Sequence, residues 1–219
     1  MRALVTGGTG RVGSAIAARL EREGWRVLAA GRADADVSAP TAARALVARA
    51  VDELGGLELL VNAAADGFVP KPFDEIGVAV WDAAFGATAK GSFFVTQAAA
   101  PHLRATSGLV VMIEDVAGYE PWPAFAAHCA AKAAQSMLTR VLSRALAPEV
   151  RVCGIAPGPV AVEPDQTERR AAETLLGRVG SPDDVAEAVL MLVEAGFVTG
   201  TTLTVDGGML LQTARATRA

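Results

Sequence analysis

Short runs of apolar residues alternate with longer stretches in which apolar residues recur every three or four positions along the chain. Ala3-Leu4-Val5 is the first run and ends in a glycine cluster; Val12, Ile16 and Leu20 then fall at i, i+4 spacing on one helical face. After Gly24, a natural helix stop, residues 25–30 read as a second buried strand. Residues 40–54 form the next helical pattern, with Leu46, Ala50 and Leu54 in one row, and Gly55-Gly56 ends it. A strand over 57–61 leads into a loop containing Gly67, Pro70 and Pro72, and a long helix is expected over 78–100, ending before Pro101. Strand 109–113 is almost wholly apolar, helix 124–146 stops before Pro148, and strand 150–155 runs into the turn Ala156-Pro157-Gly158-Pro159. Ser181 reads as the N-cap of a helix over 183–194, with Pro182 at its first position, and strand 198–205 closes the pattern at Asp206-Gly207-Gly208.

Strands apolar throughout and alternating with helices predict an α/β fold, a doubly wound parallel sheet of the Rossmann type covered on both faces. One domain is expected over residues 1–212, with a short lid near 161–176 and a loose tail over 213–219. Ligands of such sheets sit beyond the carboxyl ends of the strands, at the switch point. The stretch from Leu4 to Gly13 lies at one of those ends. A strand, a glycine turn and a helix in that order aim backbone N–H groups and a helix dipole at a phosphate.

Composition narrows the classes. The chain has 219 residues, 52% of them apolar and 5% aromatic, so the expected interior is mostly Ala, Val and Leu. A net charge of −4 without a Lys/Arg cluster argues against nucleic acid as the partner. Cys129 and Cys153 match no metal-ligand or CxxC spacing, so no metal is expected, and both read as buried small side chains in a reducing compartment. Met1 leads straight into the first strand, leaving no room for a signal peptide, and no apolar run is long enough to span a membrane. The expectation is a cytoplasmic protein.

Several segments together resemble the short-chain dehydrogenase/reductase family, over residues 4–210. They are Thr6-Gly7…Gly13, Asp36-Val37-Ser38, Leu60-Val61-Asn62-Ala63-Ala64, Trp81-Asp82, Lys90-Gly91-Ser92-Phe93, Ile155-Ala156-Pro157-Gly158-Pro159-Val160, Gly177-Arg178-Val179-Gly180-Ser181-Pro182, and Val198-Thr199-Gly200 with Val205-Asp206-Gly207-Gly208. The resemblance implies a nicotinamide dinucleotide bound by Gly7, Thr9, Gly10, Arg11, Val12 and Gly13 at the turn, and by Asp36 and Val37 at the adenine. It adds Asn62, Ala63 and Ala64 after the third strand, Lys132 at the ribose, and Pro157, Gly158 and Val160 beside the nicotinamide. The second strand ends in Gly31-Arg32 with no carboxylate. Arg32 can offer a fork of donors to a 2′-phosphate, so NADP(H) is expected over NAD(H), although Arg32 also reads as a solvated surface arginine. The segment from Gly31 to Asp36 is short, lacking the family's usual helix, which would open the adenine end to solvent.

The family's Tyr-x-x-x-Lys signature falls on His128-Cys129-Ala130-Ala131-Lys132. The i, i+4 spacing puts both terminal side chains on one helix face. Asp115 stands thirteen positions earlier, where the family has serine, and Thr88 aligns with its helix-four asparagine. Of the four usual catalytic positions, here Thr88, Asp115, His128 and Lys132, only the lysine is kept. The acid form of histidine is a cation, so lysine and an oxidised nicotinamide disfavour it, whereas a carboxylate within reach favours it and fixes the ring. Asp115 and His128 are therefore expected to act as a coupled pair in place of serine and tyrosine; the alternative is a site without its proton donor.

Pteridine reductases similarly carry a basic residue in the glycine turn, as Arg11 is here, an aspartate at the serine position, and an aromatic-Pro-x-Pro loop like Phe68-Val69-Pro70-Lys71-Pro72. By that resemblance Phe68 stacks on a flat substrate, and Arg11 serves the pyrophosphate; Phe68 also reads as a packed loop residue. Trp122, between two prolines, reads as lining the substrate mouth, an interface or the core. The apolar faces of helices 78–100 and 124–146 imply, by resemblance, a homodimer or homotetramer. The reading that emerges is an NADPH-dependent reductase of a small carbonyl, imine or pteridine-like compound. Its alternatives are a cofactor-binding protein without redox turnover and a redox-neutral acid-base enzyme, a dehydratase or cyclase, on the same fold.

Overall fold

Six parallel strands hydrogen-bond in the order β2-β1-β3-β4-β5-β6 in the computed structural model, which describes residues 1–66 and 68–212. They are β1 (Arg2–Thr6), β2 (Arg26–Ala30), β3 (Leu59–Asn62), β4 (Leu109–Ile113), β5 (Arg151–Pro157) and β6 (Thr202–Val205). Helices α1 (Arg11–Arg22), α2 (Pro40–Leu54), α3 (Val78–Phe85), α4 (Ser92–Arg104), α5 (Ala126–Leu146), α6 (Thr167–Ala171) and α7 (Pro182–Glu194) connect them. Alternate strand residues enter opposite layers. Leu4, Leu60, Val110 and Val152 pack with Leu46, Val95, Leu103 and Leu142 of α2, α4 and α5. Ala3, Val5, Val61 and Val111 pack with Ile16 and Leu20 of α1 and with Val185 and Val189 of α7. Each such large side chain contributes about 1.5–3 kcal/mol by leaving water. This is the single-domain, doubly wound α/β sheet expected from the apolar pattern.

The sheet reverses direction of growth at β1, whose neighbours are β2 and β3. That is the switch point where such sheets hold ligands. In the classic order a further strand lies outside β2; here the chain passes from β2 to α2 through residues 31–39, and β2 is the sheet's edge.

Three boundaries correct the sequence expectations. The helix over 78–100 is interrupted by a π-helical turn, Gly86–Gly91. Residues Val37 and Ser38 dock on this turn: a Cβ on Gly91 would lie 2.9 Å from Val37 Cγ2, and one on Gly86 3.2 Å from Ser38 Cβ. The same helix continues past Pro101 to Arg104, because fully buried Leu103 anchors the last turn. Proline there removes one hydrogen bond and leaves the following ones, with Ala105 N–H reaching Pro101 O at 3.3 Å. Strand 198–205 is paired only from Thr202, the preceding turn being held by Arg151, which donates to the carbonyls of Leu192, Ala195 and Val198 at 2.9–3.1 Å.

Residues 161–176, the expected lid, contain a 3-10 turn (Pro164–Gln166) and the five-residue α6. Ser181 caps α7 through a reciprocal pair with Asp184, with Pro182 at the first helical position, as the sequence pattern predicts. The expected tail, 213–219, lies outside the described residues.

Candidate functional site

The turn between β1 and α1 is built around close backbone approach. Gly7 has φ +65°, and a Cβ on it would lie 2.5 Å from Ala63 O; a Cβ on Gly13 would lie 2.3 Å from Gly7 O. These contacts press the turn against the end of β3, leaving a groove above the N-terminus of α1. A cavity of about 240 Å³ follows it, lined among others by Gly7, Thr9, Gly10, Arg32, Asp36, Val37, Ala63 and Ala64. Cradle, helix N-terminus and cavity together fit a dinucleotide phosphate. Arg11 leaves the turn and donates to Ala161 O and the Glu163 carboxylate, tying the glycine turn to the segment that follows Val160. Ala161 is held at φ +52°, a left-handed conformation unusual for alanine. Val12 is half-buried on α1.

Beyond the end of β2, Asp36 accepts from Ser38 N–H at 3.1 Å. Hydrogen bonds from the Ser38 side chain and backbone hold its carboxyl below the ordinary range, with Arg32 adding to the effect. Arg32 itself pairs with Asp66 at 3.3 Å. Two carboxylates that sequence reasoning missed therefore stand near this end: Asp66, and Asp34, which accepts from Gly31 N–H at 2.8 Å. The Asp34 contact is local, its carboxylate reaching back to the N–H three residues earlier, whereas the Asp66 contact crosses the sheet and has no local signal.

Across the sheet, β4 delivers Glu114 and Asp115 just past its last residue, and α5 delivers His128 and Lys132 from its first two turns. His128 Nε2 lies 3.2 Å from Asp115 Oδ2. Asp115 Oδ1 accepts from Ala117 N–H at 2.8 Å, fixing the carboxylate. Lys132 is 4% exposed and turned inward, donating to Ile113 O at 2.8 Å and Gln135 Oε1 at 3.2 Å. Burial pushes its ammonium below the ordinary lysine range, while the charges of Asp115 and Glu114 oppose that. Gln135 Nε2 continues the chain to Ser92 Oγ at 2.9 Å. Thr88 is buried inside the π-helical turn, a distortion frequent at functional sites.

Glu114 was not singled out from the sequence. Its carboxylate, 2% exposed, accepts from Tyr119 Oη (3.0 Å), Ser136 Oγ (2.6 Å), Thr139 Oγ1 (2.6 Å) and Thr202 Oγ1 (3.1 Å). Three of these hydroxyls tie α5 and β6 to the end of β4, and the fourth, from Tyr119, comes from the turn that follows it. Gly154 is required beside it, since a Cβ there would lie 2.0 Å from Glu114 Oε1. Asn62, at the end of β3, is also buried and donates to Thr96 Oγ1 at 3.0 Å.

An aromatic roof covers His128. Phe68 stacks on Phe125 with centroids 4.0 Å apart and meets the His128 ring edge-on at 5.0 Å. Trp122 packs edge-on against both phenylalanines, and the Arg170 guanidinium of α6 lies 5.7 Å from its ring. One face of Phe68 is therefore taken by Phe125, so a flat ligand on that face would have to replace it. A cleft of about 290 Å³ between α3 and the start of α5 reaches His128, lined by alanines such as Ala79, Ala83 and Ala126 together with Val80, Asp66 and Lys71. At the carboxyl end of β5, Pro157 ends the strand, a Cβ on Gly158 would lie 2.7 Å from Asp206 Cα, and Val160 pairs with Gly180.

This combination of glycine cradle, parallel sheet and a cavity at the switch point is that of a nicotinamide-dependent oxidoreductase family. The chain belongs to the short-chain dehydrogenase/reductases. Residues 33–210 match the family described as Enoyl-(Acyl carrier protein) reductase. A Streptomyces violaceoruber protein named as a ketoacyl reductase of the granaticin polyketide synthase is 36% identical, covering 94% of each chain. The inactive 2-(S)-hydroxypropyl-CoM dehydrogenase 2 of Xanthobacter autotrophicus is also 36% identical, covering 80% of this chain and 83% of its own. Among solved structures, 7α-hydroxysteroid dehydrogenase complexed with NADH and 7-oxo glycochenodeoxycholic acid superposes with TM-score 0.84 at 26% identity, covering 94% of this chain and 92% of that one. No helix among the described residues is long and apolar enough to cross a membrane.

Proposed function

We propose that the protein is an NADPH-dependent reductase of a small carbonyl or imine compound, with the His128–Asp115 pair as proton source. The 3.2 Å contact between these two side chains carries the proposal. Gly7, Thr9, Gly10, Val12 and Gly13 would hold the pyrophosphate on the α1 N-terminus, with Asn62, Ala63 and Ala64 beside it. Arg32, Asp36 and Val37 would meet the adenosine, and Pro157, Gly158 and Val160 the nicotinamide. The bound dinucleotide supplies a hydride to the substrate carbon.

The chain's own residues handle the proton. An ionised Asp115 only accepts hydrogen bonds, so the Nε2 facing it carries a hydrogen. Nδ1 is then the atom left to give a proton to the substrate oxygen or nitrogen. Asp115 stabilises the imidazolium before transfer and fixes the ring throughout. Lys132 would lend its remaining N–H to the ribose while its charge stays bracketed by Asp115 and Glu114. Thr88 would sit at the π-turn behind it. Phe68, Trp122 and Phe125 would keep water from His128, and the cleft favours a small substrate, a pteridine-like one stacking on the face of Phe68 that Phe125 leaves open. Residues 161–176 would act as the lid of the single domain. Exposed Val78, Trp81, Met137 and Val141 on α3 and α5 support a homodimer or homotetramer through those helices, and free Cys129 and Cys153 fit a reducing cytoplasm.

Titration of the purified protein with NADPH and NADP⁺ comes first, followed by turnover against carbonyl, imine and pteridine panels. Saturable binding and NADPH oxidation are expected; no binding of either nucleotide would overturn the proposal. A second reading, a cofactor-binding protein without turnover, is favoured by the inactive relative and by the inward turn of Lys132. Tight NADPH binding with no oxidation across the panels would select it.

A further inference from the structure

Arg32 is the one cation among the residues lining the cavity at the end of β2. Its Nη2 lies 3.3 Å from Oδ2 of Asp66, on the loop that leaves β3. Strands β2 and β3 flank β1 on opposite sides, so this ion pair spans the end of β1, beside the glycine turn. Asp36 lies close enough to Arg32 to feel its charge. The guanidinium is thus already engaged by acid where a nucleotide's adenosine end would lie.

We infer that Asp66 is a specificity-determining residue that competes with the 2′-phosphate of NADP(H) for Arg32 and so sets the balance between NADP(H) and NAD(H). The inference rests on the proposed dinucleotide site. A 2′-phosphate needs the planar donor fork of Arg32, one nitrogen of which Asp66 engages, and a carboxylate left beside the phosphate repels it. The 2′-hydroxyl of NAD(H) makes neither demand. Asp66 therefore penalises one cofactor and leaves the other nearly untouched. Its side chain is 26% exposed and Arg32 62%, so solvent screens the pair and the competition is modest. Asp66 and Arg32 come from separate loops, which is why the selectivity is not legible at the end of β2 alone.

The test is calorimetric titration of wild type, Asp66→Asn, Arg32→Ala and the double variant with NADPH and NADH at one fixed ionic strength. Asp66→Asn is expected to tighten NADPH by about two- to fivefold, the upper part of the range of a screened ion pair, and to leave NADH unchanged. In the Arg32→Ala background most of that gain should vanish, because the competition needs the guanidinium. An unchanged NADPH-to-NADH ratio in Asp66→Asn, or equal tightening of both nucleotides, overturns the inference. Wild type that binds NADH but not NADPH would contradict the proposed NADPH preference. The role of Asp66 would still be supported if Asp66→Asn then admitted NADPH, and overturned if it did not.

Discussion

His128 and Asp115, thirteen residues apart, meet with Nε2 3.2 Å from Oδ2, one from the first turn of α5 and the other from the turn after β4. Asp115 divides its oxygens, with Oδ1 capping the turn Val116–Gly118 and Oδ2 facing the imidazole. Asp115→Asn can keep the cap through its amide oxygen while losing the charge. The expected result is a folded variant whose kcat falls about ten- to hundredfold, less than the ~10²–10⁴ of losing a general acid outright. Steady-state kinetics check this, with circular dichroism confirming the fold; kcat within twofold of wild type would remove Asp115 from the proton step.

Gly13 tests the cradle. A Cβ there would lie 2.3 Å from Gly7 O, against backbone that cannot yield cheaply. Gly13→Ala is expected to destabilise by about 1–3 kcal/mol, as overpacking does. It should lower Tm by roughly 2–4 °C per kcal/mol for a chain of this size. Nucleotide binding should weaken as well, because the turn must open. Differential scanning fluorimetry with and without NADPH reads both effects; an unchanged Tm would show that the turn has more room than its geometry implies.

The hydroxyl cage around Glu114 makes a pair of linked expectations. Glu114→Ala strands four hydroxyls, each unmade buried hydrogen bond costing about 1–3 kcal/mol, partly recovered by entering water. Glu114→Gln keeps acceptor and shape and should cost less. Gly154→Ala drives a methyl into the same carboxylate and should resemble Glu114→Ala in urea denaturation. Equal midpoints for Glu114→Ala and wild type would contradict the cage as a stabilising element.

The α7 cap carries a pH signature. Arg178, with Ser181 adding hydrogen bonds, lowers the Asp184 carboxyl from 3.8 to about 2. Stability from this depressed pKa is fully present above the unfolded value and is lost as pH falls through the folded one. Asp184→Asn should therefore lower Tm at about pH 6 by an amount that shrinks below pH ~4 and vanishes near pH ~2. A Tm difference that stays constant across that range would remove the carboxylate charge from the cap.

Sequence pattern was enough for the layered sheet, because strands such as β4 are apolar at every position and α1 repeats its apolar residues at helical spacing. The His128–Asp115 pair was legible too, but only through the family resemblance, which aligned the two residues with the family's tyrosine and serine positions. Helix 78–100 hid its π-turn, since its apolar spacing does not mark Gly86–Gly91, on which Val37 and Ser38 pack. Glu114, Gln135 and Asp66 were invisible for a related reason. Each takes its partners from elements distant in sequence, and neither periodicity nor local motif marks a long-range polar contact.

The most direct measurement compares wild type and His128→Ala, each saturated with NADPH, on one carbonyl substrate that the wild type reduces. NADPH loss is followed by absorbance and NADPH affinity by titration. The expected result is a kcat lower by at least ~10²-fold with the dissociation constant for NADPH within about twofold of wild type. Equal turnover in the two proteins would contradict His128 as the proton donor.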